Sequence, residues 1–297
     1  IGQNRPFLTD RHCFKQALSP VRGSPTLFTR KNDSNMSVIN PKHLTPESSA
    51  QLRQEFDNAK PYRHLVIDNF LKDEVADALN EKFPTVEDLR KHWRGLNENK
   101  FEGSEFEKFD PVFQQLKEDL FNEDLYRWVS EITGIEDVFI TDDSLGAGLH
   151  QGGNGSFLDV HIDFNIHHIK NVHRRLNLLI YLEKDWKDEY GGKLELWNAD
   201  MTSCDRLVKP LFNRAVLFET NEISYHGYGK ITLPEGVTRK SFFAYFYTHE
   251  RENAVPYHDT MFRARPEEGA VKRVKTDVKE SLKNTAKATL KKFGVKF

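Results

Sequence analysis

The pattern of hydrophobic and polar positions changes twice along the chain. Between residues 36 and 137 apolar residues recur mainly at three- and four-residue intervals, as on one face of a helix. Residues 72–83 are predicted to form one helix, and residues 110–134 either one long helix or two shorter ones. Only residues 63–71 in this part read as a strand. We therefore expect residues 36–137 to be a helical support region.

From residue 138 to residue 265 the spacing becomes that of β-strands. Short segments rich in β-branched and aromatic residues follow one another, separated by glycine, aspartate and asparagine. Many short strands at close spacing are typical of a sandwich or jelly roll. The predicted fold is thus mainly β, with a jelly-roll core flanked by helices.

The two ends of the chain differ from both of these regions. Residues 266–297 are rich in lysine and predict a basic C-terminal helix with an apolar stripe of Val271, Val274, Val278 and Leu282. We expect this stripe to pack on the body while the basic face is solvated, although a docking helix for an acidic partner or a membrane surface is an alternative.

Residues 1–35 lack clear periodicity, and the first methionine is Met36. These residues are expected to be either a disordered arm or sequence upstream of a start at Met36.

Composition narrows the possible partners and compartments. The 43 basic and 45 acidic side chains nearly balance, so no global field favours nucleic acid or an anionic membrane. The two cysteines, Cys13 and Cys204, suit a reducing compartment. No apolar run approaches the length of a membrane span, and no signal peptide opens the chain. We expect a cytoplasmic protein whose oligomeric state the sequence leaves open.

The candidate chemistry begins in the stretch FLDVHIDFN. In a strand, His161 and Asp163 point to one side, while Val160 and Ile162 point to the other. Unpaired polar groups inside a barrel are costly, and a metal ion bonded to both side chains would remove that cost. A His-x-Asp pair is common by chance, so the pair alone carries little weight.

Later segments supply a third ligand and a buried cation. His226 lies in the strand-like stretch ISYHGYG, and two histidines with one carboxylate form the facial triad of non-haem Fe(II) oxygenases. Arg239 shares a strand face with Ser241 in a segment with aromatic residues on both sides. A buried arginine there needs an anionic partner, which is either an internal acid or the distal carboxylate of a 2-oxoacid.

The stretch RLNLLIYL has one fully apolar face and one mixed face. Asn177 and Tyr181 lie on the mixed face, together with Arg175 and Leu179. Helices are therefore expected on the apolar side and a site on the other. Asn177 and Tyr181 are candidates for a cosubstrate pocket, although each could equally be a structural hydrogen-bonding residue.

The order of HID, IYLEKDW with GGKLELW, YHGYG and RKS resembles the prolyl-4-hydroxylase-like branch of the Fe(II)/2-oxoglutarate-dependent oxygenases over roughly residues 138 to 250. The resemblance implies a double-stranded β-helix, the jelly roll of that family, with supporting N-terminal helices. It also implies that His161, Asp163 and His226 bind iron, and that Arg239, helped by Ser241 and Tyr181, grips the C5 carboxylate of 2-oxoglutarate.

By the same resemblance, Fe(II), 2-oxoglutarate and O2 take part in hydroxylating a C–H bond, with release of succinate and CO2. Whether ascorbate is needed for full activity stays open. Related halogenases have a small residue in place of the ligand carboxylate, so Asp163 favours hydroxylation. The substrate could be a peptidyl proline, a free amino acid, a sugar or a natural product.

Two other classes of protein compete with this interpretation. A hydrolase or isomerase on a jelly roll could hold zinc on the same triad, but it has no need of a buried arginine nearby. A non-catalytic jelly-roll binder would not need the triad. The glycine-rich residues 146–157 are expected to form a mobile rim containing His150, which is either a surface histidine or one that supports the metal ligands. A cluster of further histidines is expected in a surface loop: His167, His168 and His173.

Overall fold

The computed structural model describes residues 38–276 and 278–279, so the expectations for residues 1–35 and for most of the basic tail lie outside the described residues. Among these residues thirteen strands and four complete α-helices are defined, and residues 270–276 and 278–279 are also helical. The helices are α1 (Pro46–Asn58), α2 (Asp73–Glu81), α3 (Pro111–Leu120) and α4 (Glu123–Thr133). In the part of the chain thus described, none of the helices has the length and apolar character needed to cross a bilayer.

The predicted helical stretch 110–134 is two helices. The Asp110 side chain accepts a hydrogen bond from the Val112 backbone N–H and caps the start of α3. Asn122 caps α4 in the same way, through the backbone N–H of Leu125. The chain leaves α4 at Gly134 with a left-handed backbone (φ 66°), which glycine adopts without steric cost.

The strands form one antiparallel sheet that folds back on itself as a double-stranded β-helix. Their order across the sheet is β1-β10-β7-β12-β5-β3-β6-β11-β8-β9, with β2, β4 and β13 added at β3, β12 and β6. The strands are β1 (His64–Asp68), β2 (Lys91–Arg94), β3 (Glu98–Gly103), β4 (Phe139–Ile140), β5 (Ala147–Gly152), β6 (Phe157–Ile162), β7 (His173–Tyr181), β8 (Leu194–Trp197), β9 (Cys204–Val208), β10 (Arg214–Glu219), β11 (His226–Tyr228), β12 (Arg239–Thr248) and β13 (Met261–Phe262).

Strand β12 is the central strand that the aromatic content of its sequence predicts. It pairs with β7 on one side and β5 on the other. Phe242 and Phe246 are fully buried in the main hydrophobic core, which α1–α4 also line. Arg239 and Ser241, on the opposite face, line a cavity inside the barrel. The alternation of the strand therefore separates the packed core from the candidate site.

Residues 36–137 are not only helical. Strand β1 pairs with β10 at one end of the sheet, and β3 fills the position between β5 and β6. The burial pattern of β3 explains why the sequence did not reveal it: all six of its residues are half-buried, and their composition is mostly polar. Because neither face of β3 is fully buried, its sequence lacks the apolar alternation by which strands are predicted.

A β-bulge in β7 changes the predicted faces of that strand. Tyr247 of β12 pairs with Arg174 and Phe246 with Leu176, so Arg175 is an extra residue in the ladder. The bulge brings Arg174, rather than Arg175, to the face shared with Asn177. Arg175 instead donates a hydrogen bond to the Thr248 hydroxyl.

The prediction for the C-terminal helix was wrong about the packed face. Val271, Val274 and Val278 are 69%, 60% and 52% exposed, and Leu282 lies beyond the described residues. Lys272 and Thr276 face the body instead. The Lys272 ammonium reaches the buried Asp159 carboxylate at 2.9 Å, and the Thr276 hydroxyl accepts a hydrogen bond from Asn97. The ion pair between Lys272 and the buried Asp159 therefore sets which face of this helix packs on the body, and apolar periodicity predicted the wrong face.

Replacing Phe242 with alanine should lower the free energy of unfolding by about 3–5 kcal/mol, because this fully buried ring packs among the core residues, including Phe106 at 5.9 Å. Urea denaturation measures the change. The matched control Ile169→Ala, at a side chain that is 74% exposed, should change it by less than about 0.5 kcal/mol. Equal costs for the two variants would contradict the assignment of β12 to the core.

Candidate active site

The three predicted metal ligands converge at one end of the cavity. Strands β6 and β11 pair so that His161 lies directly opposite His226, and Asp163 follows β6 by one residue. The Asp163 carboxylate lies 3.6 Å from His161 Nε2 and 3.5 Å from His226 Nε2. One nitrogen or oxygen atom from each side chain lies within 4.8 Å of the other two, close enough for a shared cation.

Backbone carbonyl groups fix the orientation of both imidazoles. His161 Nδ1 lies 2.9 Å from the Asp159 carbonyl oxygen, and His226 Nδ1 lies 2.9 Å from the Ser224 carbonyl oxygen. A carbonyl only accepts hydrogen bonds, so each Nδ1 carries the proton and each Nε2 presents a lone pair to the shared point. Burial, and then the neighbouring His161, lower the pKa of His226 to about 3, which keeps it neutral.

Asp163 is held ionised by a buried arginine. Burial alone would raise its pKa, but the Arg174 guanidinium and both imidazoles bring the pKa well below the usual range. Arg174 Nη2 lies 3.2 Å from one Asp163 oxygen, and the Asn177 amide donates to the same oxygen at 2.7 Å. The site therefore offers a metal one ionised carboxylate and two imidazoles whose Nε2 atoms face it.

Arg174 is the functional residue that the sequence interpretation missed. It is 2% exposed, lies 3.5 Å from the centre of the Tyr245 ring, and donates two hydrogen bonds to the Asn177 carbonyl oxygen. Strict alternation would place it on the apolar side of β7, and only the bulge at Arg175 turns it inward. The one available signal was a charged residue at a position where the pattern expected an apolar one.

Asn177, predicted to contact a cosubstrate, lies in the cavity but is already engaged. Its carbonyl oxygen accepts from Arg174 and its amide donates to Asp163. In this arrangement it links Arg174 to Asp163, the candidate metal-binding carboxylate. A direct contact with a cosubstrate stays a prediction.

Arg239 and Ser241 also line the cavity, and Tyr181 is packed against Arg239. The Arg239 guanidinium lies 4.3 Å from the centre of the Tyr228 ring and 4.9 Å from that of Tyr181, and Arg239 Nε donates to the Gly192 carbonyl oxygen. All of these side chains are buried. Among the described residues no carboxylate oxygen lies within 4.0 Å of Arg239, so this buried cation has no internal counter-charge there.

The Tyr181 hydroxyl is a second buried polar group next to Arg239. It is fully buried and has no well-oriented hydrogen bond to any residue that the structure describes. Burial raises its pKa, and the nearby Arg239 guanidinium opposes that rise. A guanidinium fork and a phenol with an unused donor are suited to receive a carboxylate from outside the chain.

The cavity that joins these groups has a volume of about 510 Å³. The hairpin of β2 and β3 forms one of its walls. Within this wall the Glu102 side chain contacts several other lining residues. Its carboxylate receives the Trp93 indole N–H at 3.0 Å and lies 3.3 Å from His150 Nε2 and 3.7 Å from the Lys100 ammonium. Burial opposes ionisation of Glu102, but His150, Lys100 and Lys91 lower its pKa strongly.

His150 is neither a surface histidine nor part of a free rim. It belongs to β5, lines the cavity, and stacks on the Phe243 ring at 4.2 Å. Burial, and then Lys100, lower its pKa to about 4.

Of the other histidines, His168 is exposed in the turn between β6 and β7, as predicted, whereas His167 and His173 are not at the open surface. His167 is fully buried, with Nε2 2.9 Å from an Asp143 oxygen, and His168 lines the cavity. His173 is half-buried at the start of β7.

The residues present fit a divalent cation and a small diacid. Two imidazole lone pairs and a carboxylate meet at one point, which is the 2-His-1-carboxylate set that Fe(II) oxygenases use. The uncompensated Arg239 lines the same cavity, and the Tyr181 ring, whose hydroxyl has no well-aligned hydrogen bond among the described residues, lies against its guanidinium. Both features are costly in a protein that never binds such groups.

Comparison with known proteins finds a family model and a curated relative that are similar to this chain. A family model described as the 2OG-Fe(II) oxygenase superfamily matches residues 147–247, which contain the triad, Arg239 and Ser241. Prolyl 3-hydroxylase OGFOD1 from Mus musculus is 28% identical over 210 residues, covering 68% of this chain. The match covers 35% of the mouse protein, so the chain spans about a third of the length of this curated relative.

Solved structures with a similar fold include two prolyl hydroxylases. A prolyl-4-hydroxylase from Pseudomonas putida is 18% identical with a TM-score of 0.49, covering 67% of this chain and 100% of that one. A prolyl hydroxylase from Trichoplax adhaerens, solved with a peptide fragment of hypoxia inducible factor, is 17% identical with a TM-score of 0.49, covering 71% and 94%.

Replacing Arg174 with methionine should lower the free energy of unfolding by roughly 3–5 kcal/mol in the presence of a chelator, because Asp163 would be left buried without its cation. Urea denaturation measures this. The neighbouring variant Arg175→Met, which loses a hydrogen bond to Thr248, should cost only about 1 kcal/mol. Equal losses in the free energy of unfolding would contradict the conclusion that the bulge turns Arg174, and not Arg175, towards Asp163.

Proposed function

Because the chain carries a domain of the 2OG-Fe(II) oxygenase superfamily over residues 147–247, we propose that it is a hydroxylase that uses Fe(II), 2-oxoglutarate and O2. The observation that carries this proposal is the pairing of two features in one cavity. One is the His161–Asp163–His226 triad, and the other is the buried Arg239 that has no internal acid among the described residues.

His161, Asp163 and His226 are the residues that would hold iron. The carbonyl groups of Asp159 and Ser224 keep both imidazoles in the tautomer that can bind it. Arg174 and Asn177 hold the carboxylate in place and ionised. When bound, Fe(II) with 2-oxoglutarate supplies the oxidising chemistry that lets O2 attack an unactivated C–H bond.

Arg239 would bind the distal carboxylate of 2-oxoglutarate. Its fork is held between the Tyr181 and Tyr228 rings, so little side-chain entropy remains to be lost on binding. The Tyr181 hydroxyl can donate to the same carboxylate, and Ser241 is adjacent on the same strand face. These buried side chains also exclude water from the cosubstrate end of the cavity.

A prolyl residue is the first substrate to test. The mouse relative is a prolyl 3-hydroxylase, and the cavity lining also includes Trp93, Phe164, Tyr245 and Tyr257, which offer apolar contact to a pyrrolidine ring. Free amino acids, sugars and natural products remain in the same screen. A zinc-dependent hydrolase is disfavoured because it would leave Arg239 without a function.

The purified protein should bind one divalent ion and be stabilised by it. Mn(II) at a concentration well above its dissociation constant should raise the melting temperature, because a ligand that binds only the folded state stabilises it by mass action. His161→Ala should lose this effect. His43→Ala, which removes a buried histidine that contacts the Asn69 carbonyl outside the cavity, should keep it. A metal-induced shift that survives in His161→Ala would contradict the ligand assignment.

Under air with Fe(II), the protein should convert 2-oxoglutarate to succinate slowly without substrate, and faster with a prolyl peptide that gains one oxygen atom. Mass spectrometry follows both products. Arg239→Met should raise the KM for 2-oxoglutarate by about a hundredfold, equal to roughly 2.7 kcal/mol, while Mn(II) binding is unchanged. Arg214→Met, which breaks an ion pair to Asp68 outside the cavity, should leave the KM unaltered.

A further inference from the structure

The segment after β12 returns across the mouth of the cavity. Residues 255–265, here called the strap, include β13, which pairs with β6 so that Phe262 lies opposite His161. The backbone N–H of Arg263 donates to the Val160 carbonyl at 2.8 Å. The strap therefore extends the sheet at the edge of the strand that carries the metal-ligand candidates.

The beginning of the strap is fastened by Asn165. The Asn165 amide donates to the Pro256 carbonyl at 3.0 Å, and its own side-chain oxygen accepts from the His258 backbone N–H at 2.9 Å. The backbone carbonyl of His258 lies 3.4 Å from the Asn165 N–H. Asn165 thus binds the start of the strap at both Pro256 and His258, through its side chain and its backbone.

The end of the strap is fastened by Arg265. Its guanidinium lies 3.1 Å from an Asp159 oxygen and 2.8 Å from a Glu195 oxygen. Asp159, which is 1% exposed, also receives the Lys272 ammonium and the Asn97 amide. Since Asn97 precedes β3, this carboxylate joins the strap to the β2–β3 hairpin, which also lines the cavity.

Between the two fastenings the strap faces the site. Tyr257, Asp259, Thr260 and Phe262 line the cavity, and the Phe262 ring lies 5.4 Å from the His161 ring. Within the strap, only Phe262 and Arg265 are buried. The segment has little buried apolar surface, so it is held by the short β13–β6 ladder, by the contacts of its cavity-lining residues and by the polar groups at its ends, and such segments open at low free-energy cost.

The fastening residues and the ligand candidates belong to one stretch of chain. Asp159 and Asn165 bracket His161 and Asp163, and the Asp159 backbone carbonyl is the group that orients the His161 imidazole. We propose that the strap is the substrate-side wall of the cavity and opens as one unit, with Arg265 as the positioning residue that latches it through Asp159 and Glu195. The role of the wall rests on the proposed function, whereas the latch itself does not.

Hydrogen–deuterium exchange followed by mass spectrometry tests the latch on the full chain. In the wild type, amides of residues 257–263 should exchange together and faster than those of β7 and β12. In Arg265→Met this strap exchange should accelerate by at least about tenfold, while exchange in β7 and β12 stays within about twofold of the wild type. Arg265→Lys, which keeps the charge, should restore part of the protection.

Arg214→Met is the matched control, because it removes an arginine that makes a bidentate ion pair with Asp68, outside the cavity. It should leave strap exchange unchanged. Unchanged strap exchange in Arg265→Met would overturn the proposal. So would acceleration spread equally over the whole sheet, because that would make Arg265 a general stabilising residue. If Arg265→Met fails to fold, Asn165→Ala tests the opposite fastening by the same measurement.

Enzymatic readouts separate this inference from the proposed function. Arg265→Met should retain the wild-type KM for 2-oxoglutarate in the slow reaction without substrate, because Arg239 and Tyr181 are untouched. A wild type that never consumes 2-oxoglutarate would refute the proposed function and leave the exchange result standing. A normal reaction with unchanged strap exchange would refute the latch alone.

Discussion

The antiparallel register between β6 and β11 is the constraint on which the site depends. It places His161 directly opposite His226, and Asp163 then lies against both imidazoles. Slipping this register by one residue would turn one imidazole to the other side of the sheet. Because β11 has only three residues, its pairing with β8 on the other side, where His226 lies opposite Leu196, is needed to hold the same register.

A bulge in β6 changes which of its side chains face the cavity. The pairing advances from His226 to Tyr228 on β11 while it moves from His161 to Leu158 on β6, so β6 contains an extra residue. Leu158 therefore lines the cavity, and Asp159 is free to bind Arg265 and Lys272 outside it. Regular alternation would have placed Asp159 on the same face as His161, next to the Asp163 carboxylate.

The sequence predicted the features that depend on regular alternation. The jelly-roll core was correct, as was the central position of β12, with Phe242 facing the helices and Arg239 facing the cavity. The two bulges and the polar strand β3 could not be predicted, because each departs from the periodicity on which the prediction rests. The same limit applies to the C-terminal helix, where burial of an ion pair to Asp159 outweighed the apolar stripe of Val271 and Val274.

The two buried arginines of the cavity differ in whether the described part of the chain supplies a counter-charge. Arg174 is compensated within the chain by Asp163, so its cost of burial is met in the unliganded protein and it serves to keep that carboxylate ionised. Arg239 has the same burial but aromatic faces and a backbone carbonyl as its described partners. Aromatic contacts offset only part of the desolvation of a guanidinium. In the proposed function the remaining cost is recovered when an anion enters, so we expect Arg239 to determine the affinity for a diacid and Arg174 to support the metal site.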